Sequence, residues 1–166
     1  MKTGIFYGSS TGNTEDVAQR LANYLKVKPE DVYNVAKSKP SDVAPYDLLL
    51  LGTSTWGSGD LQEDWSDFIN GLEMLDLKGK KIALFGCGDE TMCDTFCGAV
   101  GELYKRLQRT NAEFIAPFEA SEYHFDDTEA RVDGKIVGLL LDEVNHPDLT
   151  DGRLSQWAEL IKKEIG

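Results

Sequence analysis

The sequence predicts an α/β fold, a doubly wound, five-stranded parallel sheet with helices on both faces. Three observations carry this. Short apolar runs alternate about five times with stretches whose apolar residues recur every three or four positions. Two of the runs, DLLLLG at 47–52 and KIALFG at 81–86, are apolar without alternation, as in strands covered on both sides. The length, 166 residues with 41% hydrophobic, suits one domain that buries a core between two helical layers.

In chain order, strands are expected at 3–7, 31–35, 47–52 and 81–86, with a broken fifth near 113–118 and 136–142. Helical spacing links Val17, Leu21 and Leu25, and then Trp65, Phe68, Ile69 and Leu72. It recurs at Phe96, Val100, Leu103 and Leu107, and at Leu154, Trp157, Ile161 and Ile165. Asp60, three residues before Glu63, reads as an aspartate version of a capping box opening the second of these helices. In such a sheet ligands sit beyond the carboxyl ends of the strands, where the winding reverses. Function is therefore sought at 8–13, 53–60, 87–93 and 143–149.

Composition excludes several classes. A net charge of −12 argues against nucleic acid and anionic membrane surfaces. No apolar stretch has the length of a membrane helix, and MKT runs straight into a strand without a charged leader, so a cytoplasmic location is expected. Cys87, Cys93 and Cys97 are odd in number and match no zinc or iron–sulfur spacing; they suit a reducing compartment, and no metal site is expected. Cys93 and Cys97 read as small apolar residues on one helix face. His124 and His146 are placed on exposed loops and given no chemistry.

The segment GSSTGNT at 8–14 follows the first strand and opens the first helix. A helix N-terminus has unpaired amides and a partial positive charge, so it receives anions. Ser9, Ser10, Thr11 and Thr14 add hydroxyls, while Gly12 and Asn13 let the backbone curl around the group. The lysine of a nucleotide-triphosphate loop is absent, as is the dinucleotide G-x-G-x-x-G. The loop is thus expected to hold a phosphate without acting on it.

The third strand ends in TSTWGSGDLQEDW at 53–65, with Trp56 in a polar, glycine-rich loop. At a strand's carboxyl end an indole is suited to stack on a planar cofactor. The fourth strand ends in GCGDETMCDTFC at 86–97.

Together these segments resemble the flavodoxins, the type example of the 2-1-3-4-5 winding with FMN at its switch point. Ser9-Ser10-Thr11-Gly12-Asn13-Thr14 fits the family's [ST]-x-T-G-x-T loop, which implies that it holds the FMN phosphate. Thr53, Ser54, Thr55, Trp56, Gly57, Ser58 and Gly59 match the loop over the isoalloxazine. There Trp56 would stack, and the Gly57–Ser58 peptide would turn on reduction and stabilise the neutral semiquinone. Cys87, Gly88 and Asp89 match G-x-G-D, which reaches the pyrimidine edge. The usual tyrosine wall is missing, so the resemblance leaves Met92 or Cys93 in its place. The polar stretch at 119–135 is similar to the insertion of long-chain flavodoxins, and LDEVNHPDLTDGRLSQW at 141–157 follows the family pattern almost throughout.

The resemblance implies a single domain over 1–166 and a low-potential, one-electron carrier using noncovalent FMN. It would shuttle between semiquinone and hydroquinone, with no catalytic residue. The alternatives are an FMN-dependent NAD(P)H quinone reductase and, more remotely, a flavin-free receiver-like signalling domain. Charge placement adds an independent expectation. Residues 40–77 contain eight acids and no lysine or arginine, and 82–104 and 136–152 also lack lysine and arginine. Lys26, Lys28, Lys78, Lys80, Lys81 and Arg109 fall where helices return to strands. A negative rim at the ligand edge would steer basic-surfaced redox enzymes, such as flavodoxin/ferredoxin reductases and other oxidoreductase donors and acceptors, onto a monomeric carrier. It would also disfavour a fully reduced, anionic flavin.

Overall fold

The computed structural model describes residues 2–8, 12–56, 60–61, 63–88, 97–119, 128, 130–143 and 145–165. Strands β1 (Thr3–Gly8), β2 (Val32–Asn34), β3 (Leu48–Trp56) and β5 (Lys81–Cys87) form the parallel centre of the sheet. A two-residue strand, β4 (Asp60–Leu61), pairs antiparallel with β3. At the far side β6 (Glu113–Phe114) and β9 (Gly138–Leu141) both lie parallel to β5. Counted by position the order is 2-1-3-4-5, as the resemblance implies, with the fifth position shared by two segments.

Among the described residues four α-helices complete the layers: α1 (Asn13–Leu25), α2 (Trp65–Leu72), α3 (Gly98–Leu107) and α4 (Pro147–Ile165). The four consecutive leucines of β3 show why the strand reads as unbroken apolar sequence. Leu49 and Leu51 pack with Trp65, Ile69 and Leu72 of α2 and with Leu103 of α3. Leu48 and Leu50 pack with Val17 and Leu21 of α1 and with Leu154 and Trp157 of α4. Successive strand residues point to opposite faces, so a strand covered twice needs apolar residues at every position. Each buried leucine contributes about 1.5–3 kcal/mol relative to exposure.

Three local expectations give way. Between β2 and β3 the chain makes only 3₁₀ turns, Val35–Lys37 and Pro40–Val43, so the strand–helix alternation is one helix short. Prolines at 40 and 45 break any α-helical run there. Helix α2 starts at Trp65 with Asp64 at its N-cap and no side-chain cap, while Asp60 lies in β4; the proposed capping box is absent. Cys97 precedes α3 in a left-handed conformation (φ 50°) and is not on a helix face; Cys93 and Phe96 lie outside the described residues.

The break in the fifth strand has a definite location. The Ile115 amide still donates to the Ile82 carbonyl, and Ala116 then takes φ 60° and turns the chain out of the sheet. A hairpin of β7 (Arg131–Val132) and β8 (Lys135–Ile136) leads back to β9. Its turn residues Asp133 (φ 52°) and Gly134 (φ 81°) are both left-handed, the geometry that matches strand twist.

Candidate flavin site

Register brings the ends of the predicted loops into one row. Gly8 of β1 pairs with Thr53 of β3, Thr53 with Gly86 of β5, Ser54 with Cys87, and Cys87 with Leu141 of β9. The chain reaches β2 from β1 through α1 and then returns to β3 on β1's other side, so the winding reverses at the carboxyl end of β1 and β3. Helix α1 begins at that point.

The N-terminus of α1 is capped by Gly12 at φ 93°, a conformation that side-chain-bearing residues resist. Among the described residues no atom beyond its chain neighbours lies within 4 Å of where a Cβ on Gly12 would stand, so the requirement is conformational. The Gly12 carbonyl accepts the Asp16 amide at 2.9 Å, which starts the helix. Thr14, in the first turn, is fully buried, yet its Oγ1 has no hydrogen-bond partner among the described residues. An orphaned hydroxyl costs stability unless something fills its valence. A hydroxyl, a left-handed glycine and a helix N-terminus are the features a phosphate site uses.

The first turn of α1 also carries Glu15 and Asp16, which would oppose an anion. Both are engaged elsewhere. Burial raises the Tyr7 phenol, and the Glu15 carboxylate, hydrogen-bonded to it, raises it further. Asp16 lies 3.4 Å from the Arg20 guanidinium.

Arg20, not singled out from sequence, also reaches Glu143 at 3.3 Å and Asp151 at 3.3 Å. Tyr24 donates to the same Asp151 at 2.8 Å. One guanidinium thus joins α1 to the β9–α4 turn and to α4. Asp142, buried in that turn, accepts the Asn145 amide at 2.8 Å and the Asn145 side chain at 2.9 Å.

The second predicted loop is partly strand. The backbone of β3 runs on through Trp56, with Thr55 opposite Leu61 and Trp56 opposite Asp60. Thr53 is buried and donates its hydroxyl to the Ser54 carbonyl at 2.9 Å, and the Trp65 indole donates to the Gly52 carbonyl at 2.8 Å. Gly57, Ser58 and Gly59 lie outside the described residues, as do Ser9, Ser10, Thr11, Asp89, Met92 and Cys93.

At the end of β5, burial pushes the Cys87 thiol up to about 12; a contact with the Thr14 hydroxyl, outside hydrogen-bonding geometry, opposes the rise. The charges of Glu143, Asp142 and Asp16 all add to the rise, so this edge of the sheet lies in a negative field. At the other edge Lys2, Lys26 and Lys28 surround a cavity of about 400 Å³, with Glu30 and Asp31 among them. The expected charge segregation therefore has exceptions, Arg20 at one edge and this acidic pair at the other.

The flavodoxin family model matches residues 5–157. The chain belongs to the flavodoxin family. Among the relatives of this flavodoxin, Flavodoxin 1 of Shigella flexneri is 42% identical over 164 residues, covering 98% of this chain and 93% of the relative. Flavodoxin 1 of Escherichia coli K12 is 41% identical over 165 residues, covering 98% and 94%. The crystal structure of Fusobacterium nucleatum flavodoxin bound to flavin mononucleotide superimposes with a TM-score of 0.89 at 31% identity, over 99% of each chain. The expected fold and family of this flavodoxin stand.

Proposed function

We propose that this flavodoxin carries single electrons between redox enzymes and holds FMN noncovalently at the carboxyl edge of its sheet, over the row Gly8, Thr53, Gly86 and Leu140. One observation carries the reading: the buried Thr14 hydroxyl in the first turn of α1, without a hydrogen-bond partner among the described residues, beside the left-handed Gly12 at the switch point of the winding. The family membership and the FMN-bound Fusobacterium relative support it.

FMN, when bound, supplies one-electron redox chemistry; the protein supplies binding, orientation and field. Ser9, Ser10, Thr11, Gly12, Asn13 and Thr14 would hold the phosphate. Thr53, Ser54, Thr55, Trp56, Gly57, Ser58 and Gly59 would form the wall over the ring, with Trp56 stacked. Cys87, Gly88 and Asp89 would meet the pyrimidine edge, and Met92 or Cys93 would form the second wall. Residues 119–135 are read as the long-chain insertion of a single domain. The negative field at the end of β5 suits a docking partner with a basic surface, such as a flavodoxin/ferredoxin reductase. A monomer in a reducing, cytoplasmic setting completes the proposal. The quinone-reductase alternative is not favoured, because such an enzyme usually needs a basic group for the NAD(P)H phosphates, and acids surround this edge.

The test is the visible spectrum of the purified protein during stepwise anaerobic reduction. Flavin bands that pass through two separate one-electron steps are expected. A colourless protein that ignores added FMN, or unaided NAD(P)H oxidation with a quinone, would sink the reading.

A further inference from the structure

The helix assigned to the phosphate starts among acids. The segment GSSTGNT carries no lysine or arginine, and Glu15 and Asp16 follow in the first turn of α1. An α-helix rises about 1.5 Å per residue, so Asp16 stands only about 6 Å along the axis from Gly12. That is well inside the screening length of about 10 Å at about 0.1 M salt.

Glu143, in the turn after β9, acts at the same place. The Cys87 thiol touches the Thr14 hydroxyl and is raised first by burial and then by the charges of Glu143, Asp142 and Asp16. The field of these acids therefore reaches Thr14, whose buried hydroxyl is assigned to the phosphate. An anion arriving there meets repulsion that the helix N-terminus alone must overcome.

Two of those three acids are held by one side chain. One terminal nitrogen of Arg20 lies 3.4 Å from Asp16 and 3.3 Å from Glu143, and the other lies 3.3 Å from Asp151. Tyr24, one turn further along α1, donates to the same Asp151 oxygen at 2.8 Å. Arg20 is 29% exposed and Glu143 13%, so water screens this pair less than an open surface pair. The guanidinium offsets the acids and also fixes α1 against the turn and helix that bring two of them.

We propose that Arg20 is a positioning residue for the phosphate: it holds Asp16, Glu143 and Asp151 around one positive charge, which lets a loop without lysine receive a dianion at the N-terminus of α1. This role rests on the reading that FMN places its phosphate there.

The test titrates the apoprotein with FMN and with riboflavin, which is FMN without its phosphate, by flavin fluorescence. In Arg20→Gln, FMN affinity should fall about three- to fivefold against wild type at about 10 mM salt, and the difference should vanish by about 0.5 M. Riboflavin affinity should change by less than about 1.5-fold at either salt, because the ligand brings no charge to the helix. Arg20→Lys keeps the cation and should recover most of the loss. Adding Glu143→Gln to Arg20→Gln restores the net charge and should recover most of it as well.

An equal loss for both ligands would overturn the proposal and leave Arg20 a strut between α1 and α4. So would a loss that survives high salt, or a double variant as weak as Arg20→Gln alone. Wild-type protein that refuses FMN would remove the flavin reading. Inorganic phosphate, followed at the Gly12, Asn13 and Thr14 amides of the apoprotein, then takes FMN's place in the same comparisons, and amides that ignore phosphate would overturn the role of Arg20 too.

Discussion

Trp157 donates its indole N–H to the carbonyl of Ala116 at 2.9 Å, which ties α4 to the residue where the fifth strand breaks. On the other side of the same residue the Ala116 amide donates to the Glu164 carboxylate at 2.6 Å. Ala116 is fully buried at φ 60°, so α4 satisfies both backbone groups that leaving the sheet would otherwise orphan. Trp157→Phe should therefore cost about 1–3 kcal/mol by stranding a buried carbonyl. Ala116→Gly should be neutral or gain up to about 1 kcal/mol, because relief of left-handed strain outweighs the added freedom of the unfolded chain. Urea denaturation of both variants measures the two effects, which should have opposite signs if the turn is strained.

Thr14→Val separates stability from binding. Removing a buried hydroxyl that has no hydrogen-bond partner among the described residues should leave the apoprotein as stable as wild type or slightly more so. The same change should weaken FMN by about tenfold, because the ligand's phosphate then loses a donor. Paired measurements of apoprotein unfolding and flavin titration check this, and a loss of apoprotein stability would show that the hydroxyl already has a role in the free fold.

Arg20→Gln leaves Asp16, Glu143 and Asp151 facing one another without their shared cation. Glu143 is the most sheltered of the three, at 13% exposure, while Asp16 and Asp151 are 64% and 67% exposed, so most of the effect is screened. The expected loss is about 1 kcal/mol at low salt, shrinking towards zero at about 0.5 M salt. Denaturation at the two ionic strengths checks it.

Alkaline pH should destabilise the fold through its buried thiols. Cys87 is raised from 9.0 to about 12, and Cys97 also lies well above its ordinary value, both mainly by burial. The folded state therefore keeps protons that the unfolded chain releases, so the stabilising contribution is full below pH 9 and is lost as pH rises through the window from 9 to 12. Each thiol contributes a slope of about 1.4 kcal/mol per pH unit inside that window. The Tyr46 phenol, raised by burial and by its hydrogen bonds to Tyr33 and Asp31, adds to the fall above pH 10. Urea midpoints at several pH values, with Cys87→Ala as the comparison, test the assignment, and a variant with an unchanged slope would refute it.

Much of the site was legible because its signals are local. A left-handed glycine, hydroxyls and a helix start lie within seven residues at 8–14, and strand ends announce themselves where apolar runs stop. Trp56 was less legible: its glycine-rich neighbours read as loop, yet its backbone pairs with Asp60, because a partner strand of two residues is too short to show a period. Arg20 gave no signal at all. Its importance comes from carboxylates four, 123 and 131 positions away.

The sequence by itself determined the parallel centre of the sheet and, through motifs that resemble the flavodoxins, its winding and the family. The parallel sheet follows from periodicity and unbroken apolar runs, and the winding and family from the matched motifs, all of which act over a few residues. Only the tertiary structure decided that the Leu141 carbonyl gathers both Gly88 and Cys97, that Ala116 rather than a glycine turns the fifth strand aside, and that Arg20 sits among three acids. These are contacts between elements set side by side by sheet register, and register is settled when both faces of the sheet are packed at once.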